Sequence, residues 1–408
     1  MHTRDTRRAR RAARAALLSV PLSLALAPVL SSGPAAAYEP LVEKQSVTIP
    51  VFTTQGGETI PEMTLGWESY GTLNAARDNV ILITHFFSGT SHAAGRYAAD
   101  DAAPGYWDSI IGAGKPIDTD RFFVIAVDTP VNLGVHNPTV ITTGPATLHP
   151  ETGAPWGMDF PILTIRDFVE TQKALLDQLG ISRLHAVMGA SMGSLQAYEW
   201  AATYPDKVER VIPVIGSGWA DGDLIAWLNI WGAPIRLDPD WNGGDYYAGT
   251  PPLRGLAEAL KLVTLHAQHP EWSNGVFGRA WADEGRDPAD GFDHLFQIEA
   301  ALDSAGAARA ATSDANHFLY LCKANQLFYA GHGGGLYDGL LAIEAPVLLI
   351  HTDEDLIFPG DAVRETGAII KSDGTPVEIV ELQGTRGHLD GVVSIAQAGA
   401  AIRAFLAR

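Results

Sequence analysis

The chain of 408 residues holds a single cysteine, Cys322. One thiol excludes an intramolecular disulfide and any cysteine-based metal cluster. Standing after the apolar run Phe318-Leu319-Tyr320-Leu321, it is expected to be buried and inert. Positive charge is also scarce: 28 Lys+Arg face 47 Asp+Glu, a formal net charge of −19. So acidic a chain is a poor partner for nucleic acid or for an anionic membrane. A phosphate cradle is missing as well, because Gly331-His332-Gly333-Gly334-Gly335 lacks the Lys-Ser/Thr that completes a P-loop. The 13 histidines lack metal-ligand spacing, so no metal or other cofactor is expected. Internal repeats and low-complexity runs are absent. What remains, 46% hydrophobic and 18% charged, suffices for one large domain with an insertion.

Residues 1–37 read as a segment outside the fold. Arg4, Arg7, Arg8, Arg10, Arg11 and Arg14 make a basic beginning. Ala15 to Leu30 is apolar but broken by Pro21 and Pro28, and Ala35-Ala36-Ala37 offers a small-residue cleavage site. This is the pattern of a secretory signal peptide, which predicts a secreted or periplasmic protein with no stable membrane association after cleavage. An uncleaved anchor is the alternative, although the apolar run falls short of the ~20 residues a span needs. Removing six arginines and one aspartate takes the net charge to −19 − 5 = −24.

The most informative residues are Gly189-Ala190-Ser191-Met192-Gly193, which read G-x-S-x-G. Leu184 to Met188 before them has buried-strand character, and Ser194 to Tyr204 after them reads as a helix stopped by Pro205. Strand, tight turn and helix make this motif a nucleophile elbow. The glycines allow the sharp turn, and the helix N-terminus favours an oxyanion at the serine. A plain Gly/Ser turn is the bland alternative.

A serine hydroxyl needs a base, and the base needs an orienting carboxylate. In α/β-hydrolases the chain order is Ser, Asp/Glu, His. Pro346 to His351 reads as a core strand leading into Thr352-Asp353-Glu354-Asp355-Leu356-Ile357-Phe358-Pro359. Asp355, four residues before Pro359, is preferred over Asp353, which suits a solvated acidic turn. Pro376 to Leu382 reads as the last strand, and His388 follows on a loop containing Gly384 and Gly387. The expected catalytic residues are therefore Ser191, Asp355 and His388. The oxyanion hole needs two backbone N–H donors. Met192, after the nucleophile, supplies one. Phe87, in the loop after the strand Asn79 to Thr84, is expected to supply the other. His85 in that loop reads as a structural residue that ties down neighbouring backbone.

Phe122 to Val127 reads as a buried strand. Thr164 to Leu179 reads as an amphipathic helix with a capping pattern at Thr164 and Asp167 and a stop at Gly180. Val208 to Ile215 reads as the strand after the elbow helix. Strands alternating with helices predict an α/β fold, a mostly parallel, doubly wound sheet of the α/β-hydrolase kind. The rhythm breaks between Gly216 and Leu340, a stretch rich in Trp, Ala, Leu and His. The expected organisation is residues 38–215 and 341–408 as the core and 216–340 as an inserted helical lid, which would shape the substrate site and exclude water. Phe86, Phe87, Trp107, Trp156, Trp219, Trp227 and Trp231 could line an apolar pocket, although aromatics in such numbers are more often core.

Several longer segments resemble the homoserine O-acetyltransferases. They are Gly112 to Val124, Asp159 to Asp167, Ser191 to Trp200, Asp238-Pro239-Asp240-Trp241-Asn242-Gly243-Gly244-Asp245-Tyr246, and Asp314 to Tyr320. The resemblance covers most of the chain beyond residue 37. It implies a Ser-His-Asp triad at Ser191, His388 and Asp355, a helical lid, an acyl-enzyme intermediate, and a homodimer formed through the lid.

The chain also departs from that family. An arginine shortly before the lid Asp-Pro, expected to grip the homoserine carboxylate, is replaced by Gly232, and Arg236 lies four residues out of register. Leu389 follows the histidine where the family has Asp, and Asp390 comes one later. The elbow reads Gly-Ala-Ser-Met-Gly-Ser, and Val131 to His136 lacks the family's glycine-rich stretch. Together with the export signal, which separates the chain from cytosolic acetyl-CoA, these departures predict a secreted hydrolase of small-molecule carboxylic esters. The alternative is an O-acyltransferase using acetyl-CoA and a hydroxy amino acid. A non-catalytic binding protein is a third reading, which an intact triad disfavours.

Overall fold

The computed structural model describes residues 41–408. The expected signal peptide, residues 1–37, lies outside them. Eight strands form one sheet: β1 (Gln45–Ile49), β2 (Met63–Tyr70), β3 (Val80–Thr84), β4 (Phe123–Val127), β5 (Ala186–Ala190), β6 (Val211–Val214), β7 (Val347–His351) and β8 (Val377–Glu381). Their spatial order is β1-β2-β4-β3-β5-β6-β7-β8. β2 pairs antiparallel with β1 and β4, and every pair from β4 onward is parallel. This is the mostly parallel, doubly wound sheet that the sequence predicts.

The strands are short apolar runs because both faces of a parallel sheet are covered. β3 shows how each is shared out. Val80 and Leu82 enter the larger core, with Phe168 and Leu175 of helix α1 (Ile165–Gln178) and Leu195 and Tyr198 of α2 (Met192–Thr203). Ile81 and Ile83 enter the opposite core with Ile402 and Phe405 near the C-terminus. Alternation with period two thus puts one buried layer on each side.

Helix α1 begins at a capping box. The Asp167 backbone N–H donates to Thr164, and the Asp167 carboxylate accepts from the Thr164 N–H at 2.7 Å. Two boundaries near the elbow differ from the sequence reading. β5 runs to Ala190, because Gly189 and Ala190 pair with Pro213 and Val214 of β6 while Leu184 makes only an isolated bridge to Val208. The following helix starts at Met192, directly after the serine, not at Ser194.

Between β6 and β7 the chain runs through α3 (Gly222–Trp231), α4 (Ala233–Leu237), α5 (Leu253–His266), α6 (Pro270–Val276), α7 (Gln297–Ala310), α8 (Ala315–Gln326) and α9 (Asp338–Leu341). α5 and α7 lie together: a Cβ on Gly306 would come within 2.7 Å of the Ala257 carbonyl, so glycine sets how closely they pack. Cys322 in α8 is buried, and burial raises its thiol pKa well above the usual range. Among the described residues no single helix is long and apolar enough to cross a membrane.

Candidate active site

The site grows from the end of β5. Ser191 sits between strand and helix with φ 57° and ψ −123°, a left-handed conformation costly for a residue with a side chain. Its N–H is fixed by the Val214 carbonyl at 2.9 Å. The flanking glycines are required by space. A Cβ on Gly189 would meet Thr84 Oγ1 at 2.0 Å, and one on Gly193 would meet the Thr84 carbonyl at 2.1 Å. Thr84 Oγ1 donates to the Gly193 carbonyl at 2.7 Å, so the first turn of α2 is pinned to the end of β3.

The acid comes from the loop after β7 and the base from the loop after β8. His388 Nε2 lies 2.8 Å from Ser191 Oγ, and His388 Nδ1 lies 2.8 Å from Asp355 Oδ2. The other Asp355 oxygen accepts the backbone N–H groups of Ile357 at 2.8 Å and Phe358 at 2.9 Å. An ionised carboxylate can only accept, so Nδ1 carries the proton and Nε2 is left to accept the serine hydroxyl. All three side chains are buried. Asp353, the rival acid, points outward to Arg364 at 2.6 Å. It makes no hydrogen bond or ion pair with His388.

Neither the Phe87 nor the Met192 backbone N–H has an acceptor among the described residues. The loop that carries Phe87 is held from behind. His85 Nε2 accepts the Thr129 N–H at 3.0 Å, and its Nδ1 donates to the Phe86 carbonyl at 2.8 Å. Burial lowers the His85 pKa and keeps the ring neutral, as this acceptor and donor pair requires. Further along, the Asp128 carboxylate accepts the Ser91 N–H at 2.7 Å and pairs with Lys44 at 3.2 Å, and Lys44 also meets Glu68 at 2.9 Å. This buried ionic cluster gives no signal in single-sequence patterns, because its members are spread from residue 44 to residue 128.

A cavity of about 560 Å³ opens onto the serine. The core contributes Phe86, Phe87, Ser88, Ile215, Ile357, His388, Leu389 and Val392. The helices between β6 and β7 contribute Trp231, Val263, Thr264, Ala305 and Arg309, among others. Of the seven aromatics considered from sequence, three line it: Phe86, Phe87 and Trp231. The others are packing residues. Trp107 is buried with its indole donating to the Gly391 carbonyl, Trp156 stands edge-on to Phe160, Trp219 to Tyr337, and Trp227 lies on His266.

The positions that depart from the family do not meet the cavity alike. Gly232 ends α3, and a Cβ there would lie 2.7 Å from both Arg236 Nη1 and Leu319 Cδ2. Arg236 donates to the Asn229 carbonyl and side chain at 2.8 and 2.9 Å and does not reach the cavity. Leu389 lines it, whereas Asp390 is buried and accepts from the Arg386 N–H and the Ser394 hydroxyl. Sequence reading missed Arg309, which among the described residues carries the one permanently charged side chain of the cavity wall. It lies in an alanine-rich run without any motif.

The comparisons agree on the fold. A sequence model of the α/β-hydrolase fold matches residues 101–382. The chain is 41% identical over 337 residues to the homoserine O-acetyltransferase of Symbiobacterium thermophilum, covering 82% of this chain and 86% of that protein. The crystal structure of the homoserine O-acetyltransferase from Bacillus anthracis superposes with a TM-score of 0.87 at 36% identity, covering 91% of this chain and 99% of that one. That of esterase E22 gives 0.86 at 49% identity, covering 90% and 100%. The chain is an enzyme of the α/β-hydrolase family with small-molecule substrates. The main functional expectation, ester hydrolysis, is overturned by the curated relatives, which carry the name of the alternative activity. The departures at Gly232 and Leu389 and the N-terminal pattern carry less weight than the several long segments that match the family. With a relative this similar along four-fifths of its length, the protein belongs to the homoserine O-acetyltransferase family of α/β-hydrolases.

Proposed function

We propose that the protein is an O-acyltransferase that moves an acetyl group from acetyl-CoA to the hydroxyl of a small hydroxy acid of homoserine's class. One observation carries the chemistry: the unbroken hydrogen-bonded line from Asp355 through His388 to Ser191, opening on a largely apolar cavity. The choice of acceptor rests on the relatives' names.

In the first half-reaction Ser191 Oγ attacks the thioester carbonyl as His388 Nε2 takes its proton. The Phe87 and Met192 N–H groups receive the oxyanion. The C–S bond breaks, His388 returns its proton to the leaving sulfur, and an acetyl-serine remains. In the second half the acceptor hydroxyl loses its proton to His388 and attacks the acetyl-serine carbonyl. The C–Oγ bond breaks, and His388 reprotonates Ser191. Asp355 holds the imidazole in the useful tautomer and steadies the imidazolium at each stage. The helices α3 to α9 act as a lid in this scheme, and the apolar wall disfavours water as the competing acceptor.

A homodimer through the lid helices belongs to the same proposal. Ile225, Ile230 and Leu237 are exposed apolar side chains on α3 and α4 that such pairing would cover, and sedimentation velocity reads the mass. The function itself is tested by following thiol release from acetyl-CoA with and without L-homoserine or 4-hydroxybutyrate, using Ser191→Ala as control. Acceptor-dependent release supports the proposal. Release that ignores the acceptor contradicts it.

A further inference from the structure

Arg309 occupies the last turn of α7 and lines the same cavity as Ser191 and His388. Its Nη1 donates to Thr264 Oγ1 at 2.7 Å and to the Leu260 carbonyl at 3.4 Å, both on α5. Those are neutral acceptors. Among the described residues no carboxylate forms an ion pair with Arg309, and its Nε and Nη2 have no acceptor. Among the described residues no Asp or Glu lines the cavity. A partly buried cation without a counter-ion is a costly arrangement, and a guanidinium presents a fork of donors that matches a carboxylate. Burial lowers its pKa only to about 10, so it stays charged at neutral pH.

We infer that Arg309 is the carboxylate anchor of the acyl acceptor, and that the acceptor's amino group is not read. This rests on the acyltransfer reading above and assigns recognition to α7. The Gly232 position, where the family's arginine is expected, is closed by Arg236 and Leu319. An ammonium in this pocket would find Leu389 and neutral side chains, with no acidic partner among the described residues. The acceptors that fit are therefore short hydroxycarboxylic acids, with or without an amine.

Three acceptors separate the contributions. L-homoserine has both charged groups, 4-hydroxybutyrate lacks the amine, and 3-aminopropan-1-ol lacks the carboxylate. In the wild type, kcat/KM for the first two is expected to agree within about threefold. Arg309→Met is expected to lower the ratio of homoserine to 3-aminopropan-1-ol by about 10- to 100-fold, through KM, the size of a lost charged hydrogen bond. Arg309→Lys should recover part of the ratio, because it keeps the charge without the fork. If the variant lowers both acceptors equally, the residue is a cross-link between α5 and α7 and the inference fails. A wild-type preference for homoserine over 4-hydroxybutyrate of tenfold or more contradicts the claim about the amine. Calorimetric binding of butyrate to Ser191→Ala, with and without Arg309→Met, tests the anchor even if no acceptor is acylated. Butyrate affinity unaffected by Arg309→Met overturns it.

Discussion

His388 Nε2 stands 2.8 Å from Ser191 Oγ, although 197 positions separate the two residues in the chain. Strand order makes this contact. β5 delivers the serine near the middle of the sheet, and β7 and β8 deliver the acid and the base from the same edge, all at strand C-terminal ends. Replacing Ser191 with Ala should lower turnover by about four to six orders of magnitude without loss of fold. Asp355→Asn should cost about 10⁴-fold by favouring the wrong imidazole tautomer. Steady-state kinetics with circular dichroism on both variants provides the check. A loss of less than tenfold in either would remove that residue from the mechanism.

Gly193 is a packing requirement of the elbow. Its Cβ would lie 2.1 Å from the Thr84 carbonyl, and backbone cannot yield as a flexible side chain does. Gly193→Ala should destabilise the fold by about 1–3 kcal/mol and displace the serine. Gly275 in α6 has nothing within 4 Å of its Cβ position, so Gly275→Ala is expected to be neutral or mildly stabilising. Urea denaturation compares the two, and equal effects would count against this packing account.

The Glu68 cluster predicts how stability falls in acid. Burial raises the pKa of this carboxyl, but hydrogen bonding by His92, the charge of Lys44 and the Tyr97 hydroxyl outweigh it and bring the value down to about 2. A folded pKa below the ordinary glutamate value of 4.5 means that the contribution is complete above about pH 4.5 and is lost as pH falls toward 2. The stability gap between wild type and Glu68→Gln should therefore be at its full width from about pH 5 upward and narrow steadily below it. Thermal melts across that range measure it, and a gap independent of pH would show that the ionised form is not what stabilises.

Cys322 is buried within α8, and burial holds its thiol protonated. A thiolate-directed disulfide reagent should leave the folded protein unmodified and label one thiol per chain in denaturant. Fast labelling of the folded protein would place this region in an open state.

The parts of the site that were legible in sequence are those encoded locally. The elbow reveals itself because strand, Gly-x-Ser-x-Gly and helix are contiguous, and Asp355 and His388 follow recognisable strands. Phe87 lines the cavity beside Ser191, a position its sequence shows because its loop directly follows β3. The exact ends of β5 and α2 were not legible. Gly189 and Ala190 have weak strand preference and are held in the ladder by β6, which no local pattern records. Arg309 escaped for a related reason: its meaning comes from facing a cavity built by α5, Phe87 and His388, not from its alanine-rich neighbours. The choice between transfer and hydrolysis was misread because Ser191, His388 and Asp355 serve both reactions equally. Water and an alcohol differ in how the cavity receives them.

That difference makes product partition the most direct measurement. Wild-type protein with acetyl-CoA and 4-hydroxybutyrate or L-homoserine should be sampled through one turnover and beyond, with O-acetyl ester and free acetate quantified together by mass spectrometry. The account predicts acetyl-Ser191 as the intermediate and O-acetyl ester as the main product, rising with acceptor concentration at the expense of acetate. Acetate as the main product at every acceptor concentration would show that water is the acceptor and contradict it.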